Sequence, residues 1–279
     1  MKNKNKTSMA RIIVFAFLCF WVLTFALCFS WLIINSLKDR VQYVTDKVSL
    51  PQPWTFRNYT DAFVRLKAGD IGVSRMIFNS CWIVFGTLFI QQLSCNTLAY
   101  CLAKYKFPGR NLLYWTAIIT LMLPSYGTMA SMLKLLDSLH MYNTPLYLLQ
   151  HIGLAGLLIP YSCYKSLDWS YAEAAFIDGA GHIEIYFKIM LPQMVPVIVA
   201  LSVSGFMTGW NDYMTSLIYL PDYYTLSTGL YWFETRVKRT MEYPLLYAGL
   251  IISILPVVIA FGVSQNSFMN ISLDGGLKG

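Results

Sequence analysis

The 279-residue chain is 56% hydrophobic, 16% aromatic and only 13% charged, against about 25% charged in an ordinary soluble domain, which excludes a water-soluble globular protein and marks a membrane protein. Its net charge of +7 comes from 21 Lys and Arg scattered between apolar runs rather than gathered into a stripe, which excludes nucleic acid as a partner. The six Cys form no C-x-x-C pair, His140, His151 and His182 are isolated, and no phosphate loop, G-x-S-x-G or Ser-His-Asp set occurs, so neither a metal site nor a catalytic residue is expected.

In chain order, Lys2, Lys4, Lys6 and Arg11 precede an uncharged run of 23 residues from Ile12 to Ile34. That run exceeds the roughly 7 to 15 apolar residues of a cleaved signal and lacks an A-x-A-like site, so it reads as a retained first membrane helix. Pro51 and Pro53 then predict an extended approach to a short surface helix over Asn58 to Phe63. Further uncharged windows of about 20 residues, the length needed to cross a hydrocarbon core, run from Met76 to Leu102, Leu112 to Leu133, Tyr142 to Tyr161, Ile189 to Trp210 and Leu245 to Phe268. An all-α integral membrane fold with six transmembrane helices is therefore expected, because segments of this length satisfy their own backbone hydrogen bonds in lipid. Lys104, Lys106 and Arg110 join the N-terminal cations in placing both termini on the cytoplasmic side. Seven basic residues between Lys38 and Arg75 oppose that orientation, though four acids accompany them. The division expected is a cytoplasmic N-terminus (1–11), a six-helix domain (12–268) containing a cytoplasmic loop (about 165–188), and a cytoplasmic tail (269–279).

Within that loop, Ala172, Ala175, Phe176 and Gly179 recur at i, i+3, i+4, i+7 and put small and apolar groups on one helical face, where another surface can approach closely. Ser170-Tyr171-Ala172-Glu173 has the form of a capping box. Asp178-Gly179-Ala180-Gly181 predicts a stop and reversal, and Leu191-Pro192 the start of the next helix. Further on, Gly205 and Gly209 form a small-xxx-small pattern expected to pack closely on another helix. Trp210-Asn211-Asp212 follows, and a carboxylate at the end of an apolar helix is either part of a translocation path or an interfacial anchor.

Glu173, Ala174, Ala175, Asp178, Gly179 and Ala180, with Ile189, Leu191, Pro192 and Pro196, resemble the EAA loop of ATP-binding-cassette (ABC) importer permeases. Asn58-Tyr59 with Ala62-Phe63, the run from Ala99-Tyr100 to Phe107-Pro108-Gly109-Arg110, Trp210-Asn211-Asp212 and the tail Gly275-Gly276-Leu277-Lys278-Gly279 are similar to carbohydrate-importer permeases, specifically the second permease subunit of the maltose-type branch. Two departures are Asp168 where the family usually has Pro, and Gly276 in place of Ala. The resemblance implies a type I ABC importer permease fold with cytoplasmic EAA coupling helices, forming half of a sugar pore in a bacterial-type inner membrane and working by alternating access. It implies ATPase coupling through Glu173, Ala174, Ala175, Phe176, Asp178, Gly179 and Ala180, and a contact of Lys278 with the ATPase. The implied partners are a second homologous permease, two copies of an ABC ATPase that hold ATP and Mg, and an extracytoplasmic sugar-binding protein; no cofactor is expected in this chain. An ion-gradient-driven secondary transporter or a non-ABC channel subunit stands as the alternative, although the former calls for paired charges at mid-membrane that the six windows lack.

Overall fold

The computed structural model describes residues 3–123, 127–154 and 156–276. The chain folds into two compact units, Met1–Val73 with Gly229–Leu255, and Ser74–Thr228 with Pro256–Gly279.

In the first unit, α1 (Asn3–Ser36) buries none of its apolar window within the chain, as suits a helix whose side chains face lipid. Its C-terminal carbonyls are satisfied by the segment that follows. Asn58 Nδ2 donates to the carbonyls of both Ser36 and Lys38 at 2.7 Å, and Tyr59 OH lies 2.7 Å from Ser36 Oγ. The short helices α2 (Arg40–Thr45) and α3 (Arg57–Arg65) and a hairpin of β1 (Lys67–Ala68) and β2 (Ile71–Gly72) complete this region. α3 is the surface helix expected after Pro51 and Pro53. Buried Lys38 donates to the carbonyl of Asp46 at 3.0 Å, which ties the end of α2 back to α1.

In the second unit, α4 (Val73–Lys104) buries Met76, Ser80, Val84, Leu88, Cys95, Ala99 and Leu102, a stripe at helical spacing. The third and fourth apolar windows do not form single helices. α5 (Arg110–Met122) ends with Leu123 extended (φ −78, ψ 127), the backbone favoured ahead of Pro124, and α6 (Met129–Ser138) resumes the chain. In the fourth window Pro145 opens a 3₁₀ turn (Pro145–His151), Gly156 takes φ +82, and only then does α7 (Leu158–Ser166) begin. Hydropathy averages over these Pro and Gly positions, whereas the backbone does not.

After α7 come α8 (Ser170–Ile177) and α9 (His182–Ile185), then a π turn (Tyr186–Met190) leading into α10 (Leu191–Asn211). The fifth helix thus starts at His182, earlier than Leu191-Pro192 implied. Pro192 has no N–H and crowds the carbonyl one turn back, and the π turn, in which Leu191 N–H reaches the carbonyl of Tyr186, accommodates it. α11 (Met214–Tyr219), α12 (Leu226–Thr240) and α13 (Tyr243–Gly276) follow. Among the described residues, four helical stretches are long and apolar enough to cross a membrane: Arg11–Ser36, Val73–Lys104, His182–Asn211 and Tyr243–Gly262.

A core of Ala99, Tyr100, Tyr164, Ala172, Tyr186 and Met190 joins α4, α7, α8 and the π turn. A second, smaller core gathers Ile83, Leu136, Tyr147 and Tyr219.

Candidate functional site

The loop between α7 and α10 is a helix-turn-helix held by backbone chemistry at both ends of α8. At its start Asp168, not Ser170, supplies the cap: Ser170 N–H donates to Asp168 Oδ1 at 3.1 Å. Hydrogen bonds from the Ser170 backbone and hydroxyl hold the Asp168 carboxyl below its ordinary pKa. The expected capping box therefore does not form. Ser170 already lies inside the helix, and Glu173 is exposed, its carboxylate making no hydrogen bond or ion pair among the described residues.

At the other end Gly179 takes φ +87, Ala180 N–H donates to the carbonyl of Ala175 at 2.9 Å and Gly179 N–H to that of Phe176 at 3.1 Å. This paired closure is a Schellman turn, and it requires a left-handed residue where Gly stands. Asp178 is the last helical cap, and Gly181, extended, precedes α9.

The face carrying Ala172 and Ala175 points inward. Ala172 is 0% exposed and Ala175 8%, packed in the core with Tyr100, Tyr164 and Tyr186, while Phe176 is half-buried with its ring 4.9 Å from His182. The face that this spacing defines is covered by the chain's own core residues. Small residues at 172 and 175 let α8 lie close against the chain's own helices. The opposite face is free in this chain: Tyr171, Glu173, Ala174 and Asp178 are exposed, Ile177 is 86% exposed, and Ile183 on α9 is 76% exposed. An apolar pair so exposed beside an unpaired carboxylate is a surface suited to a protein partner. Lys278 lies outside the described residues; α13 stays helical through Gly276.

The three side chains of the second candidate cluster have separate contacts. Trp210 is buried and stacks on Phe206 at 5.3 Å, Asn211 donates to the carbonyl of Met207 at 2.7 Å, and Asp212 turns onto the next helix. The Asp212 carboxylate accepts from Met214 N–H at 2.9 Å, from Thr215 N–H at 3.1 Å and from the Thr215 hydroxyl, and so caps α11. Replacing it by Ala should cost about 1 kcal/mol of stability and by Asn only a few tenths, read as thermal unfolding of the purified protein. Uptake per assembled complex should not change in Asp212→Asn; slowed uptake with unaltered unfolding would return Asp212 to the translocation path.

Trp210 alone of the three lines a groove of about 990 Å³ walled by α4, α10 and α13, with Phe85, Phe89 and Phe206 at its apolar part and Gln92, Asn96 and Tyr186 at its polar part. Asn96 is 1% exposed, donates to the carbonyl of Gln92 at 2.8 Å and leaves its Oδ1 without a partner. Sequence reasoning passed over Gln92 and Asn96, although two amides four residues apart in an apolar helix share one face and are a signal of function in a membrane segment. Among the described residues no group of His, Cys, Asp and Glu is placed to hold a metal ion.

Residues 96–268 match the model of a protein family, the binding-protein-dependent transport system inner membrane component. The chain is 27% identical over 256 residues to the diacetylchitobiose uptake system permease protein of Streptomyces coelicolor, covering 90% of this chain and 83% of that one. It is 29% identical over 293 residues, the full length of both, to the arabinooligosaccharides transport system permease protein of Halalkalibacterium halodurans. In fold it matches a chain from the crystal structure of a bacterial ABC transporter involved in the import of the acidic polysaccharide alginate, with a TM-score of 0.79 over 96% of this chain and 99% of that chain at 17% identity.

Proposed function

The chain belongs to the family of binding-protein-dependent transport system inner membrane components, and from that premise we propose that it is one of two permease subunits forming the pore of an ATP-driven carbohydrate importer. It is a helical, multi-pass permease subunit without catalytic function of its own. Carbohydrate as the cargo is supported by relatives named for diacetylchitobiose and for arabino-oligosaccharides. In the working complex the chain pairs with a second, homologous permease, two copies of a cytoplasmic ABC ATPase that hold ATP and Mg, and an extracytoplasmic sugar-binding protein. Residues 1–11, the loop over 165–188 and the tail from 269 face the cytoplasm. Six crossings are made by the four long helices and by two broken passes, one through α5 and α6 and one through the 3₁₀ turn and α7.

The observation that carries the coupling role is the exposed face of α8 and α9. Glu173, Ala174 and Asp178, with Ile177 and Ile183, form an outward surface on a helix whose inner face is locked into the core. A partner gripping that surface moves a rigid body rather than a loop. Closure of the ATPase pair on ATP then biases the permease between inward-open and outward-open states, provided ATP binds the closed state more tightly.

The Ala174→Cys variant is expected to crosslink to an ATPase subunit in an ATP-dependent manner, whereas Ala175→Cys, at a buried position, should remain silent. Absence of capture by Ala174→Cys in an inserted, correctly paired complex would sink the coupling role. Uptake by proteoliposomes given ATP and no ion gradient separates this transporter from a gradient-driven one.

A further inference from the structure

Two consecutive side chains at the end of α4 reach both ends of the helix-turn that contains α8. Lys104 donates from Nζ to the carbonyl of Leu167, and its ammonium lies 5.8 Å from the centre of the Trp169 ring. Tyr105 OH lies 2.9 Å from His182 Nδ1 at the far end, and its ring meets Trp169 edge-on at 6.0 Å. The grip continues inward, since Tyr105 OH is 3.2 Å from Tyr100 OH and the Tyr100 ring is 4.9 Å from that of Tyr186 in the π turn.

A lysine in the last turn of a helix ordinarily serves that helix by facing its own free carbonyls. Lys104 bonds instead to a carbonyl 63 residues away, immediately before the cap of α8. Its bond and cation–π contact hold residues 167–169, and Tyr105 holds 182, so the segment between them has both ends fastened to one helix. The same helix α4 presents Phe85, Phe89, Gln92 and Asn96 to the groove.

We propose that Lys104 and Tyr105 are positioning residues, a two-point clamp that passes displacement of α8 into α4 and so to the wall of the groove. This rests on α8 being the surface that the ATPase grips. Neither residue touches solute or nucleotide in this role; both act through Leu167, Trp169 and His182.

The test uses the full complex in proteoliposomes with three variants. Lys104→Met keeps the aliphatic stem and removes the donor, Tyr105→Phe removes one oxygen, and Lys104→Arg keeps both donor and cation. Each is read as solute taken up per ATP hydrolysed, and crosslinking of the ATPase is measured alongside in the same variants carrying Ala174→Cys. In Lys104→Met, capture should persist and hydrolysis stay within about twofold, while uptake per ATP falls about tenfold, the weight of one charge-assisted hydrogen bond. Tyr105→Phe should fall in the same direction by less, and Lys104→Arg should recover most of the loss. Unchanged uptake per ATP in both Lys104→Met and Tyr105→Phe, with capture intact, would overturn the clamp. So would a parallel fall of uptake and hydrolysis that Arg does not rescue, since that is the mark of a merely structural residue. If Lys104→Met fails to assemble, Tyr105→Phe decides by the same ratio. Loss of capture in Ala174→Cys with Lys104 and Tyr105 intact falls on the docking surface itself and is thereby distinguished from failure of the clamp.

Discussion

A Gly179→Pro variant is expected to insert and assemble but to lose ATP-driven uptake by about 100-fold, because proline opposes the turn after α8 with strain of the order of 1–3 kcal/mol plus about 1 kcal/mol for a lost hydrogen bond. The backbone at 179 has φ +87, whereas a proline ring holds φ near −65°, and the Gly179 N–H now donated to Phe176 would be gone. The region around the glycine is open, with nothing within 4 Å of where a Cβ would stand, so the effect is conformational and not steric. Asn, which enters the left-handed region at modest cost, is therefore the control, and Gly179→Asn should keep uptake within a few-fold. The measurement is sugar uptake per ATP hydrolysed at equal complex content. Full coupling in the proline variant would remove the rigid-lever account of α8.

The second large effect belongs to α10 against α4. A Cβ at Gly205 would stand 2.6 Å from Leu88 Cδ2, while one at Gly209 would meet Val84 at an ordinary 3.5 Å. The two glycines predicted to permit close helix packing do face a neighbouring helix, but only Gly205 is at the limit. Leu88 Cδ2 is the far end of a side chain that can turn, so Gly205→Ala should cost less than about 1 kcal/mol. Gly205→Leu has no such escape and should cost upward of about 3 kcal/mol, seen as a thermal midpoint lower by roughly 5 °C or more, or as loss of the folded protein. Adding Leu88→Ala to Gly205→Leu returns space on the facing helix and should recover part of the loss. A midpoint in the Leu variant equal to the parent's would show that α4 and α10 do not pack this closely.

Uncharged runs were enough to locate α1, α4, α10 and α13 to within several residues, because a lipid environment demands long self-satisfied helices and little else supplies so many apolar residues in a row. The turn at Gly179 was equally legible, since few residues besides Gly tolerate positive φ. Less was legible wherever the answer depended on what lies across a contact. The spacing of Ala172 and Ala175 defines a face but carries no information on whether the chain or a partner covers it. Asp168 and Ser170 can each cap a helix, and only the backbone path decides between them. Asp212 at the end of an apolar helix has the same composition whether it faces a pore or, as here, the amides of its own next turn. Lys104 and Tyr105 gave no signal because their partners lie more than 60 residues away.

The interruption of the third apolar window bears on how the chain is made. α5 has 13 residues and α6 has 10, lengths that rise about 20 and 15 Å against a hydrocarbon core of about 30 Å. An insertion machinery that judges each emerging segment alone would release either one back to water. On length alone these pieces are expected to enter the lipid together with the chain as far as α7, and not one by one. A nascent chain halted soon after Ser138, anchored already by α1 and α4, is accordingly expected to leave a Leu121→Cys thiol open to a water-soluble reagent, while one extended past Ser166 shields it.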